Sequence, residues 1–249
     1  MIKNAVFSVL FVSCLLSCKQ EPLSANAIID RSIEVSGGAH VKNATISFDF
    51  RDIHYTAIRN DGIFKLGRTF VKGQDTIMDW LSNDAFKRTI NNQPLKVPDS
   101  MVPRYSASVN SVHYFSVLPF GLNDGAVNKD YLGDVKVKEK TYHKIKVTFN
   151  EAGGGEDFED VFIYYVDTKT FKVDYLSYSY EEDHGIGLRF REAYNERFIK
   201  GVRFVDYNNY RPKKEKEPLD NLEVLFENDG LELLSKIELK NIKVDLSQL

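Results

Sequence analysis

The chain has 249 residues, enough to bury a sizeable core without disulfide or metal staples. Its formal net charge of −3 leaves no excess of Lys and Arg to neutralise phosphates, which argues against nucleic acid as a partner. Its 2 cysteines, Cys14 and Cys18, both fall at the start of the chain, so the remainder carries no disulfide, no thiol nucleophile and no cysteine-based zinc site.

Residues 1–17 read as a signal peptide. Lys3 supplies the charged start, and Ala5 to Leu16 form an apolar stretch shorter than the ~20 residues a spanning helix needs. The run Leu15-Leu16-Ser17-Cys18 resembles the lipobox of bacterial lipoproteins. That resemblance implies diacylglycerol on the Cys18 sulfur, cleavage just before it and acylation of the new amino group. Several acyl chains make a stable anchor, so the expected partner is a membrane, and the expected address is the outer membrane on its periplasmic or surface face. Cys14, behind Phe11-Val12-Ser13, is the rival position, but cleavage there would leave Leu15 and Leu16 on the mature end. No A-x-A-like site offers ordinary secretory cleavage. Residues 18–24 then form a lipidated tether, and 25–249 a single β-rich domain.

Ser24 suits a helix N-cap, and Ile28, Ile29, Ile33 and Val35 share one helical stripe over Ala25 to Val35, stopped by Gly37-Gly38. From Ala44 the period becomes two: Ile46, Phe48 and Phe50 alternate with polar residues. Beyond Asp52 the apolar set moves to Ile53, Tyr55 and Ala57, a phase slip that suggests a bulge in one long bent strand. Asn60-Asp61-Gly62 marks a hairpin turn between that strand and further ones at Ile63 to Val71 and Asp75 to Leu81. Residues 91–103, with Pro94, Pro98 and Pro103, read as a loop. Val109, Val112, His113 and Phe115 hint at a helix over Tyr105 to Leu118, ended by Pro119, with a strand as the alternative. Later hairpins turn at Glu139-Lys140, at Asp167–Thr170 between Val161 to Val166 and Phe171 to Tyr180, and at Lys200-Gly201 between Ile186 to Ile199 and Val202 to Tyr210. Leu231 to Leu246 ends the chain with a phase change near Asn241. The predicted class is mainly β (α+β), an antiparallel meander with one buried and one wet face per strand.

A lipobox, a tether, an amphipathic helix closed by Gly-Gly and a long meander together resemble the periplasmic lipoprotein carriers (LolA/LolB-like) over most of residues 24–246. The resemblance implies a strongly curved sheet, a half-barrel, whose concave face holds acyl chains and is plugged by helices. The 91–103 loop and the 105–118 segment would belong to that short helical plug. The 161–210 region is richer in Tyr and charge than a purely lipid-lined wall. The blocks Asn110 to Phe115, Leu118 to Asp124 and Arg189 to Asn195 are similar to an uncharacterised lipoprotein family of Bacteroidota, which implies no activity.

Candidate ligand-binding residues are His113, Tyr114, Phe115, Arg189, Arg191 and Tyr207, aromatic and polar groups of the kind that line apolar sites. Arg189, Arg191 and Arg197 fall on one strand face, opposite Leu188, Phe190 and Phe198. They either hold a carboxylate or phosphate or form a wet face balanced by neighbouring acids. The acidic stretches Gly153 to Asp160 and Glu181 to Gly185 lack EF-hand spacing and read as solvated hairpin ends. None of His40, His54, His113, His143 and His184 forms a zinc motif, and the surroundings of His113 suit a hydrogen-bonded core histidine. No nucleophile elbow, Walker loop or dinucleotide fingerprint is present, so no cofactor, metal or catalytic residue is assigned. Three functions remain open: a lipoprotein binding an apolar or amphipathic ligand in a concave aromatic pocket; an envelope hydrolase using His113 or His184 with nearby acids; and a module that docks a protein through an exposed aromatic patch.

Overall fold

The computed structural model describes residues 23–155, 158–182 and 185–247. The leader, Cys18 and His184 lie outside the described residues.

Ser24 caps helix α1 (Ala25–Val35), accepting a hydrogen bond from the Ala27 amide at 3.2 Å, and Ile28 and Ile29 on its inner stripe are fully buried. The expected Gly-Gly stop is a corner. Gly37 has φ +79, and a Cβ there would lie 2.0 Å from the Gly201 carbonyl oxygen, so only glycine fits. A short helix, α2 (Gly38–Val41), comes next.

Strands β1 (Thr45–Phe50), β2 (Ile53–Asn60), β3 (Ile63–Lys72), β4 (Asp75–Ser82), β5 (Phe86–Ile90) and β6 (Gln93–Leu95) run as an antiparallel meander. After helix α3 (Val102–Ser116) the chain passes a cis Leu118–Pro119 bond. The second meander comprises β7 (Val127–Val137), β8 (Lys140–Phe149), β9 (Val161–Asp167), β10 (Val173–Glu182), β11 (Gly185–Ile199), β12 (Val202–Pro212) and β13 (Leu231–Ile237). Strand β14 (Lys240–Asp245) returns to pair with β1, so among the described residues each of the two open sheets has seven strands.

The fold is the expected curved antiparallel half-barrel, divided into two sheets with few helices. Local expectations differ from it in three places. The phase slip at Asp52 is a tight reversal, not a bulge: Arg51 takes φ +54, and β1 and β2 pair antiparallel from Phe50↔Ile53 to Thr45↔Ile58. The 91–103 loop contains β6 and a turn of 3-10 helix at Asp99–Met101. Helix α3 begins at Val102, with Pro103 in its first turn, where a missing N–H costs nothing.

The core lies between each sheet and the helices. On the first sheet Ala57 and Leu66 are buried with Val109 of α3, and Ile46, Phe48 and Tyr55 with Val117, Val202 and Phe204. On the second, Ile145, Val147, Tyr164, Val166, Val173 and Leu176 pack against α1 and the Leu118–Leu122 segment. The opposite face of the second sheet is covered by a short helix at Leu222–Glu227, where Phe226 stacks on Phe190 at 4.9 Å. Glu223 of that helix is buried with Lys144 at 2.5 Å and the Tyr165 hydroxyl at 2.8 Å, a charge pair closed by a third hydrogen-bonding group.

Candidate functional site

Helix α3 lies between the sheets, and its two faces do different work. Val109 and His113 point to the first sheet. The Nε2–H of His113 donates to the Gly67 carbonyl at 3.0 Å, and its ring meets Phe48 and Tyr55 edge-on. Desolvation and the nearby Arg59 charge push the imidazole pKa from 6.5 down to about 4, so the ring is neutral. His113 is therefore a packed core residue on the first-sheet side of the helix.

The N-terminal half of α3 is held to the same sheet by ions. Asp79, with no exposed surface, receives Arg68 Nε at 2.8 Å and Arg88 Nε at 2.6 Å. Arg68 also donates to Ser108 Oγ at 2.7 Å, and the Arg88 guanidinium lies 3.9 Å from the Tyr105 ring centroid.

The other face of α3 carries Tyr114 and Phe115 toward the second sheet. Between them and the strands opens a cavity of about 780 Å³, whose lining does not include His113. Phe115 lies 6.0 Å from Phe162 and 5.6 Å from Tyr178, and Phe162 stacks on Tyr178 at 5.2 Å. The Tyr114 hydroxyl meets that of Tyr164 at 2.7 Å, and burial raises the pKa of both phenols. Tyr207 also lines the cavity, its phenol likewise raised by burial.

Arg191 projects into this aromatic space from β11. It is 8% exposed, its guanidinium lies 3.9 Å from the Phe115 centroid and 5.0 Å from that of Tyr178, and it donates to the Tyr178 hydroxyl at 2.7 Å. Gly154, Glu159, Asp160 and Glu181 also line the cavity, so the two acidic hairpin ends lie at the same site.

Of the candidate ligand-binding residues, the structure brings Tyr114, Phe115, Arg191 and Tyr207 together and leaves His113 and Arg189 apart. His113 faces the first sheet. Arg189 shares the face of Arg191 but lies beside the cavity, donating to the Leu188 carbonyl at 2.8 Å with its guanidinium 5.0 Å from the Tyr180 ring. Arg197 is not on that face. An extra residue between Tyr194 and Arg197 reverses the strand's alternation, so Arg197 joins the side of Tyr194 and binds Asp206 at 2.8 Å. The arginine face is also not the wet side of its strand, because Arg191 is buried. Sequence reasoning misses Phe162, Tyr178 and Asn209 as wall residues. The shared parity of Phe162 with Tyr164, and of Tyr178 with Tyr180, is the available signal.

Among the described residues, His54 pairs with Asp49 and His143 with Asp134, each at 2.6 Å, and neither ring hydrogen-bonds a Ser or Thr hydroxyl. Among those residues no group of three His, Cys, Asp or Glu is placed to hold a metal ion, and no helix is long and apolar enough to cross a membrane.

A half-barrel with a helix laid across its hollow and an aromatic cavity beneath defines a LolA-like architecture. The chain belongs to DUF6503, a family of unknown function whose model matches residues 4–239. Solved structures share the fold. A LolA superfamily protein from Nitrosomonas europaea superposes with a TM-score of 0.51 at 9% identity, covering 89% of this chain and 94% of that one. A DUF1329 family protein from Desulfovibrio piger does so with a TM-score of 0.52 at 10% identity, covering 90% and 94%. Among curated proteins none matches this sequence.

Proposed function

We propose that this protein is a lipid-anchored envelope lipoprotein that holds an apolar or amphipathic ligand in the cavity between α3 and the second sheet. The observation that carries the reading is the cavity itself, about 780 Å³ and walled by Tyr114, Phe115, Phe162, Tyr178 and Tyr207. A space of this size is within the usual range for small-molecule sites, and an aromatic wall gains free energy by taking apolar surface out of water. The LolA-like architecture supports the same reading. The Leu15-Leu16-Ser17-Cys18 run supports attachment through Cys18 to the outer membrane.

Native mass spectrometry of the full chain, produced in its own envelope and released in mild detergent, tests the cargo. The expected spectrum carries an added mass that collisional activation removes as a lipid-like species. A spectrum of bare protein, together with no uptake of the neutral fluorophore N-phenyl-1-naphthylamine, would remove the reading. The anchor is tested separately. The N-terminal peptide should begin at Cys18 with acyl mass added, and Cys18→Ala should abolish both the acyl mass and the cleavage before position 18.

A further inference from the structure

Arg191 is a buried cation whose hydrogen bonds are incomplete. Among the described residues its Nε–H has no acceptor, and no carboxylate forms an ion pair with it. Three rings surround the guanidinium, those of Phe115, Tyr178 and Tyr207 at 3.9, 5.0 and 6.0 Å. Their faces attract the charge but offer the Nε–H no lone pair in its plane. Directly across the β-ladder from Arg191 stands Asn209, 7% exposed, whose Oδ1 also lacks a partner among the described residues while its Nδ2 reaches Ser235 Oγ at 3.2 Å. Both side chains line the cavity. A desolvated guanidinium and an amide edge, neighbours on one wall and each short of a bond, are what a site for a charged polar head requires.

We infer that the cavity seats an anionic head group, a carboxylate or a phosphate ester, on Arg191 with Asn209 as a second polar contact, while the ligand's hydrocarbon lies along the aromatic wall. The inference rests on the cargo-binding reading and narrows it to one chemical class. The donor fork of arginine matches two oxygens of either anion, and the buried setting strengthens each bond because water does not compete. Glu159, Asp160 and Glu181 also line the cavity and carry the opposite sign, so selection comes from short-range pairing at Arg191 and not from attraction at a distance. The amide of Asn209 can present either its oxygen or its N–H₂ edge, because Ser235 Oγ both donates and accepts. It can therefore take a glycerol hydroxyl beside a phosphate or a second oxygen of a carboxylate.

The test is competition for the full chain by three ligands of one chain length: oleate, oleoyl lysophosphatidate and oleyl alcohol. Each displaces N-phenyl-1-naphthylamine, below its micellar concentration. The expected result is that at least one anion binds roughly tenfold or more tightly than the alcohol, with the better anion identifying the head group. Arg191→Gln should abolish that preference, bringing the affinity of the anions down to that of the alcohol measured on the same variant. Arg191→Lys, which keeps charge but loses the fork, should restore only part of it. Equal binding of all three ligands to the wild type, or an unchanged preference in a folded Arg191→Gln protein, overturns the inference while the cargo reading stands. Failure of the neutral alcohol and of the fluorophore to bind removes the cargo reading instead.

Discussion

The hydroxyl of Tyr114, on the helix that crosses the hollow, meets the hydroxyl of Tyr164, on the central part of the second sheet, at 2.7 Å. Tyr164 has no exposed surface, and burial raises the pKa of both phenols, so both stay neutral and one donates to the other. This bond ties α3 to the second sheet beside the cavity that Tyr114 lines.

Removing one partner leaves the other buried and unmatched. Tyr114→Phe and Tyr164→Phe should therefore each cost about 1–2 kcal/mol, read as a lower urea midpoint. The double variant should cost less than the sum of the two, because neither phenol is then left alone. Strict additivity would show that the two groups do not interact in solution.

What the sequence makes legible is set by periodicity. The hairpins from Val161 to Tyr210 and the stripe of α1 show clear alternation, and the structure has both. The reversal at Arg51-Asp52 reads as a bulge because a two-residue turn and an inserted residue shift strand parity alike, and neither Gly nor Asn marks the corner. Strand β6 escapes notice because Gln93-Pro94-Leu95 has no apolar alternation, and the Leu222–Glu227 helix because six residues are too few for a helical stripe. At the site, the aromatic pair on α3 and Arg191 are visible as residue types. Which face of the strands is concave is a property of sheet curvature, so Phe162, Tyr178 and Asn209 carry no local mark. The single inserted residue near Asn195 is enough to move Arg197 away from Arg191.

His113 makes stability depend on pH with a definite sign. Its native pKa is about 4 against 6.5 for the free group. As pH falls below about 6.5 the unfolded chain takes up a proton that the folded protein refuses, so stability falls, and the loss is complete below about 4. Between pH 7 and pH 4.5 the histidine should account for about 2–3 kcal/mol of that loss. His113→Gln keeps a donor for the Gly67 carbonyl and removes the titration. Denaturant unfolding at the two pH values should show a smaller drop for the variant by this amount. Equal drops would mean that the imidazole is hydrated and titrates normally.

Asp79 is the counter-charge for two guanidinium groups that are themselves only 10% and 11% exposed. Its hydrogen bonds hold the Arg88 guanidinium above its ordinary pKa, and that ordinary value is itself far above neutrality, so the group keeps its charge when Asp79 loses its own. Asp79→Asn keeps the shape and deletes the charge, and should destabilise the protein by roughly 3 kcal/mol, because two buried cations then face each other without an anion. Replacing all three, Asp79→Leu with Arg68→Met and Arg88→Met, should cost less than the single change. A triple variant weaker than Asp79→Asn would indicate that the arginines matter for their contacts to α3, at Ser108 and Tyr105, more than for charge balance.

Gly67 offers an optical reading of the first sheet. It sits opposite Trp80 in the β3–β4 ladder, and the indole lies across it so closely that an added Cβ would be 2.6 Å from the ring. The Lys65 ammonium covers the indole, 4.3 Å from its centroid. Gly67 is not in the left-handed region, so Gly67→Ala strains no backbone angle, and its whole effect is the displaced ring. The loss of ring contact should outweigh the small gain in strand stiffness and lower stability by about 1 kcal/mol. Trp80 is the protein's 1 tryptophan, so the same substitution should shift the intrinsic emission to longer wavelength as the indole moves into water. The two readouts must change together, because one movement causes both. A destabilised protein with an unshifted spectrum would place the clash elsewhere, and a shifted spectrum at full stability would show that the indole leaves Gly67 at no cost.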